Sequence, residues 1–242
     1  MFVQVIMLKN ICFEPELTVT DCGTVDYDAM LARQRLVFNS LIAEKRACGQ
    51  VSHEYIFMVE HPDVITLGRH ADHANLLVNP DYLRHSGVSV VEIERGGDVT
   101  YHGPGQLVVY PIIDISLRHL GVRQYVETLE EAVIRTISHW DIRGGRVEGA
   151  TGVWIGKGTL QERKICAIGI RCSRYITMHG LALNVNTDLS KFQLINPCGF
   201  IDKGVTSMQK EVGAEVDLSQ VKQLFIRELL YCLSGNTLHS EH

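Results

Sequence analysis

Apolar residues recur at helical spacing in three stretches of the chain. Asp26 stands before a run in which Met30, Leu31, Val37, Phe38, Leu41 and Ile42 share a stripe that ends at Cys48-Gly49. That pattern predicts an amphipathic helix with Asp26 as its cap. Val126, Leu129, Val133, Ile137 and Trp140 are spaced 3, 4, 4 and 3, one buried face of a helix. Asp217 with Gln220 makes a capping pair ahead of Val221, Leu224, Phe225, Leu229 and Cys232, a third helix. Between them the pattern shortens to strand-like runs: Tyr55–Val59, Val64–Leu67, Val88–Ile93, Leu107–Ile113, Val153–Ile155, Lys164–Cys172 and Ile176–Val185. Several are rich in β-branched residues and bounded by Gly, Pro or Asp. Strands that cluster with few helices between them predict an α/β protein of the α+β type. The expected sheet is mixed and largely antiparallel, packed by helices, rather than a βαβ ladder. No repeat, Pro- or Ser-rich linker or long like-charge run interrupts the pattern, so one domain over 1–242 is expected.

Composition narrows the function classes. Lys plus Arg total 23 against 28 Asp plus Glu, a formal net charge of −5, which gives no footprint for nucleic acid or an anionic membrane. The first residues lack the basic start, longer apolar run and cleavage site of a secretory signal. No window approaches the ~18 consecutive apolar residues of a membrane span. A reducing cytoplasm is the expected compartment. The seven cysteines (Cys12, Cys22, Cys48, Cys166, Cys172, Cys198 and Cys232) are odd in number and contain no C-x-x-C pair, so free thiols are expected and a zinc site is not. His70 and His73 have metal-chelating spacing but a loop-like context without a matching carboxylate or cysteine, and no metal is assigned to them.

Three segments carry candidate chemistry. Arg95-Gly-Gly-Asp-Val-Thr-Tyr-His-Gly-Pro-Gly-Gln106 combines four glycines with Arg, Thr, Tyr, His and Gln side chains. It reads either as a polar loop shaped around a ligand or as a glycine hairpin loop with a surface histidine. It is neither a dinucleotide fingerprint nor a P-loop. The second segment is Lys164-Ile-Cys-Ala-Ile-Gly-Ile-Arg-Cys172, followed by Thr177-Met-His-Gly-Leu-Ala-Leu-Asn184. Strand alternation puts Lys164, Cys166, Ile168 and Ile170 on one face. Lys164 is then either a rim side chain snorkelling to water or a partly desolvated amine able to move protons near pH 7. Gly169 and Gly180 mark a bulge or a ligand lying close to the backbone. The third is Leu194-Ile-Asn-Pro-Cys-Gly-Phe200. There a Pro/Gly turn exposes the Cys198 thiol, which is either reactive or an inert loop cysteine.

Jointly these segments resemble the lipoyl(octanoyl) transferase family. The likeness rests on Arg95–Gln106, Gly152-Val-Trp-Ile155, Arg163-Lys-Ile-Cys-Ala-Ile-Gly-Ile170, His179-Gly-Leu-Ala182 and Ile195-Asn-Pro-Cys-Gly199, in the family's order. Asp98 stands where many members carry Gln. The resemblance implies a fold like the catalytic domain of biotin and lipoate protein ligases. It implies octanoyl transfer from acyl carrier protein to a lysine amine on lipoyl domains, those of 2-oxoacid dehydrogenase complexes and the glycine cleavage H protein, with no cofactor. It also implies Cys198 as the nucleophile that forms an acyl thioester and Lys164 as the partner that lowers its pKa. An acyl pocket would be lined by Arg95, Gly96, Gly97, Asp98, Val99, Thr100, Tyr101 and His102, by Ala167, Ile168 and Gly169, and by Gly180, Leu181 and Ala182. The apolar faces of Ile168, Ile170 and Leu181 would hold the acyl chain. An ATP-dependent lipoate or biotin ligase, and a non-catalytic acyl-carrier or lipoyl-domain adaptor on the same fold, are the alternatives.

Overall fold

A computed structural model describes residues 3–6, 15–196 and 204–235. Its strands are β1 (Val3–Ile6), β2 (Glu16–Thr24), β3 (His53–Glu60), β4 (Val64–Leu67), β5 (Ser89–Glu92) and β6 (Val99–His102), then β7 (Gln106–Ile112), β8 (Gly144–Val147), β9 (Ala150–Ile155), β10 (Arg163–Ser173), β11 (Ile176–Asn184) and β12 (Gly204–Val205). Its helices are α1 (Tyr27–Cys48), α2 (Pro80–His85), α3 (Val122–Ser138), α4 (Met208–Val212) and α5 (Leu218–Leu233). The main sheet runs β1-β2-β3-β7-β11-β10-β9-β8 with β12 beside β10, and β5-β4-β6 form a second, three-stranded sheet. Most neighbours are antiparallel, as expected. The parallel pairs are β2 with β3, β4 with β5 and β10 with β12. The first of these follows from α1, a helical crossover long enough to return the chain in the same direction.

The three helices foreseen from periodicity are present with the expected caps. Asp26 accepts hydrogen bonds from the Asp28 and Ala29 backbone at 3.0 and 3.2 Å, and Gly49 closes α1 in the left-handed conformation. Asp217 accepts from Ser219 and Gln220 at the start of α5. α3 and α5 cover one face of the main sheet, where Leu129, Val133, Ile137, Phe225 and Leu229 meet Leu107, Val109, Leu181 and Leu183. α1 covers the opposite face through Met30, Leu31, Phe38 and Leu41 against Phe57, Val108 and Ala182. The small sheet has its own core, in which Tyr101 meets Phe192 at 5.4 Å between ring centroids. No helix among the described residues is long and apolar enough to cross a membrane.

β1, β2, β8 and β12 and the short helices α2 and α4 fall outside the predicted runs, and two further features depart from the sequence pattern. The glycine-rich segment 95–106 is not loop throughout: β6 lies inside it, antiparallel to β4. The β10–β11 hairpin turns through Arg174 and Tyr175 alone, at φ 52° and 67°. Those angles are the left-handed pair that a two-residue hairpin needs, met here without Asn or Gly.

Candidate active site

A cavity of about 390 Å³ lies between the α1 face of the main sheet and the small sheet. Its first defining element is an irregularity in β10. Lys164 pairs with Trp154, but the next register pair is Cys166 with Val153, so Ile165 and Cys166 together occupy one step. This β-bulge overturns simple alternation along the strand. Ile165 and Cys166 both turn into the α3/α5 core, whereas Lys164 shares the cavity face with Ala167 and Gly169. Its amine stands 4.7 Å from the centroid of the buried Trp154 ring, a cation–π contact. The bulge needs Gly152 opposite it. At φ 121° this residue lies where only glycine is comfortable, and a Cβ there would collide with the Cys166 carbonyl oxygen. Glu130 on α3 fixes the same spot by accepting the Gly152 N–H at 2.9 Å. We expect Gly152→Ala to lose about 2–4 kcal/mol of stability through backbone strain and overpacking. A melting curve with wild-type Tm would show that the bulge accommodates a side chain.

β12 holds the same end of β10 from the other side. Its residues pair in parallel with Arg163 and Lys164, and the Thr206 N–H donates to the Lys164 carbonyl at 2.9 Å. Arg163 forks onto Glu211 of α4, whose carboxyl also accepts from Thr206. The backbone carrying Lys164 is therefore clamped between β9 and β12. Pro197 to Lys203, with Cys198, lie outside the described residues. The chain on either side of that segment reaches the cavity wall, at Phe192 before it and at Gly204 and Val205 after it.

The floor is lowered by small residues set opposite one another. Ala167 pairs with Ala182, and Gly169 with Gly180. Neither glycine marks a bulge; both answer to close approach by the protein's own backbone. A Cβ on Gly169 would sit 2.8 Å from the Gly96 carbonyl oxygen and 3.0 Å from Arg95 Cδ, and one on Gly180 would strike the Val109 carbonyl. The Gly96 N–H donates to the Ile170 carbonyl at 3.0 Å, laying the loop directly on β10. Arg95 is anchored above it. Its guanidinium donates to the Thr66 carbonyl and hydroxyl at 2.9 and 3.0 Å and to the Gly96 carbonyl at 3.0 Å.

From Arg95 a buried chain of hydrogen bonds runs along the cavity. The Thr66 hydroxyl, which accepts from Arg95, lies 3.4 Å from His102 Nε2. His102 Nδ1 donates to Gln106 Oε1 at 2.8 Å, Gln106 donates to Asn184, and Asn184 donates to the Thr206 carbonyl. Burial, reinforced by His61, pushes the His102 imidazole down to about 3, so it is neutral at pH 7. Both ring nitrogens are engaged by protein, which makes His102 a brace for the wall rather than a proton carrier. His61 has a similar structural setting, with Nδ1 donating to the Val25 carbonyl and Nε2 bonded to the Tyr110 hydroxyl.

Of the residues expected in an acyl pocket, Arg95, Gly97, Asp98, Val99, Thr100, His102, Ala167, Ile168, Gly169, Gly180, Leu181 and Ala182 line this cavity together with Lys164. Gly96 and Tyr101 do not. Gly96 lies against β10 by its backbone, and strand alternation turns Tyr101 away to bond Asp63 at 2.7 Å. Ile170 does not line it either, because it packs toward the α3/α5 core. Residues not singled out from the sequence also form the wall, among them Tyr27, Tyr110, Trp154, His179, Asn184 and Phe192. Trp154 and His179 fall inside quoted motifs, so a signal was present; Tyr27 and Tyr110 look like ordinary core aromatics.

Comparison with known proteins agrees with this architecture. The lipoyl protein ligase A/B catalytic domain model matches residues 26–230. The chain is 50% identical over 214 residues to the octanoyltransferase of Bacteroides fragilis, covering 88% of this chain and 96% of that one. It is 51% identical over 211 residues to the octanoyltransferase of Bacteroides thetaiotaomicron, covering 87% and 92%. In structure it resembles a bi-partite lipoate protein ligase from Thermoplasma acidophilum, with TM-score 0.62 and 19% identity over 91% of this chain and 84% of the other. At that identity the likeness speaks for the fold. The chain belongs to the lipoyl protein ligase A/B catalytic domain family, with that family's mixed sheet packed by helices. Within the family it stands with the octanoyltransferases, acyltransferases of protein lipoylation.

Proposed function

We propose that the cavity receives an octanoyl group from acyl carrier protein and delivers it to a lysine amine on a lipoyl domain, through a thioester on Cys198. The acceptors in this reading are the lipoyl domains of 2-oxoacid dehydrogenase complexes and the glycine cleavage H protein. The observation that carries the reading is the position of Lys164. Its amine lies on the wall of a cavity floored by Ala and Gly, beside β12, the strand that follows the Cys198 segment.

The chemistry balances with these two residues. A Cys198 thiolate attacks the donor thioester carbonyl. A new carbon–sulfur bond forms, the old one breaks, and the Lys164 ammonium gives its proton to the departing carrier thiolate. One thioester has replaced another, so the step is close to thermoneutral and needs no ATP. The neutral Lys164 amine then takes a proton from the incoming substrate ammonium. The freed amine attacks the acyl-Cys198 carbonyl, an amide forms, and Cys198 departs as thiolate with one proton released to solvent. Acid–base work of this kind contributes ~10²–10⁴-fold.

Incubation with octanoyl-carrier protein in the absence of ATP tests the reading. The expected result is an intact-mass increase of one octanoyl group, mapped to the Cys198 peptide and discharged on addition of a lipoyl domain. An adduct on another residue would move the nucleophile elsewhere. Transfer that requires ATP would instead support a ligase, and binding without any acyl transfer would support an adaptor.

A further inference from the structure

The inner end of the cavity has features that holding an alkyl chain does not by itself require. His179 breaks the alternation of β11, since its backbone sits at φ 59°. A left-handed conformation is uncommon for a non-glycine residue. Its neighbours Arg95, Glu94 and Arg35 lie on the α1 side, and its ring lines the cavity. The side chain is 1% exposed, and neither ring nitrogen has a hydrogen-bond partner among the described residues. Its backbone N–H donates to Gln34 Oε1 on α1 at 3.1 Å. Beside it the Arg95–Gly96 segment rests on Gly169, where there is no room even for a Cβ. Arg95 and His179 thus stand together on the cavity wall beside Gly169, the guanidinium fixed by three hydrogen bonds.

We propose that this part of the wall stops the acyl chain and acts as a ruler that sets its length at about eight carbons, with His179 and Arg95 as specificity-determining residues. The proposal rests on the acyl-transfer reading above. Along β10, Gly169 follows Lys164 by five residues, of which the bulge removes one step. Four steps of about 3.3 Å give roughly 13 Å from the Lys164 position to the wall. Subtracting a van der Waals contact of about 4 Å leaves roughly 9 Å. An extended eight-carbon chain, a zigzag of bonds about 1.5 Å long, has nearly that length. A shorter chain leaves part of the Ala167–Ala182 floor uncovered. A longer one must displace Arg95 from Thr66 or push the His179 ring aside.

Two variants move the wall in opposite directions. Glycine adopts φ 59° without strain, so His179→Gly removes the ring without straining the backbone. Ala167→Val raises the floor halfway along. Initial rates give kcat/KM for hexanoyl-, octanoyl-, decanoyl- and dodecanoyl-carrier protein. Wild type should peak at octanoyl. His179→Gly should raise the decanoyl-to-octanoyl ratio about 10-fold or more, and Ala167→Val should raise the hexanoyl-to-octanoyl ratio similarly, the size expected when pocket fit changes by a methylene or two. Ratios within about 2-fold of wild type in both variants, with octanoyl transfer retained, overturn the ruler. Titration with free hexanoic to dodecanoic acids separates this result from the fate of the transfer reading. If wild type transfers nothing, yet affinity peaks at eight carbons and moves to ten in His179→Gly, the ruler stands and the transfer reading falls. Affinity that rises steadily with chain length in both proteins overturns the ruler.

Discussion

Cys198→Ser is expected to lose octanoyl transfer by ~10⁴-fold or more, in line with losses seen when an activated nucleophile is removed from other acyl-transfer enzymes, and to form no thioester adduct. Serine keeps the size of the side chain but offers an alcohol that is hardly ionised near pH 7. Its oxygen ester would also discharge more slowly to an amine than a thioester. Single-turnover transfer from octanoyl-carrier protein reads the loss, and intact mass reads the adduct. Retention of transfer within 10-fold would sink the nucleophile assignment. The other described thiols are poor substitutes. Cys166 is fully buried and its thiol is pushed far up by that burial. Burial also raises Cys22 and Cys172, and Cys232 is buried in the α5 core. Cys48 is exposed, at the C-terminus of α1, so Cys48→Ser is the background in which the labelling should be done.

The parts of the fold legible in the sequence are those set by local periodicity. α1, α3 and α5 announce themselves by stripe and cap, because a helix that covers a sheet must present one apolar face. The strands from β3 to β11 that were foreseen are bounded by turn residues for the same local reason. β6 escaped because four residues between glycine-rich turns are too short to show alternation, and its partner β4 lies more than thirty residues earlier. The bulge at Lys164 escaped for a different reason. It depends on Gly152 and Glu130, which approach β10 from another strand and from a helix. Reading β10 as a straight strand therefore assigned Lys164 to the face of Cys166, when it belongs with Ala167 and Gly169.

Within the site, motif membership and wall position are related but distinct. Gly96 and Tyr101 lie in the segment that forms the wall, and both act behind it, one as a backbone contact to β10 and one as a strut to Asp63. Gln34 shows the converse. A polar residue in the apolar stripe of α1 looks like an interruption of the helix pattern, yet it is fully buried and holds the His179 backbone across 145 positions of sequence. Partners so far apart in the chain leave no periodic trace. His102, expected in the pocket lining, has both ring nitrogens occupied by the chain from Thr66 to Gln106. The geometry separates a bracing histidine from one that moves protons.

The second large effect is expected at Lys164, and two substitutions divide its roles. In Lys164→Ala the pH midpoint of Cys198 alkylation should rise toward or above the ~8.5 of an unperturbed thiol, because the neighbouring cation is gone. Octanoyl transfer should fall by ~10²–10⁴-fold. A midpoint that stays where wild type has it would leave Lys164 a structural residue beside Trp154. Lys164→Arg retains the charge but holds its proton at every accessible pH. The thiol midpoint should then remain low and the octanoyl adduct should still form. Its discharge to a lipoyl domain should slow by a similar ~10²–10⁴-fold, since no neutral amine is present to deprotonate the acceptor. The adduct would accumulate under turnover, which mass spectrometry reads directly. Discharge of the Lys164→Arg adduct at the wild-type rate would remove the general-base step and leave Lys164 with the electrostatic role alone.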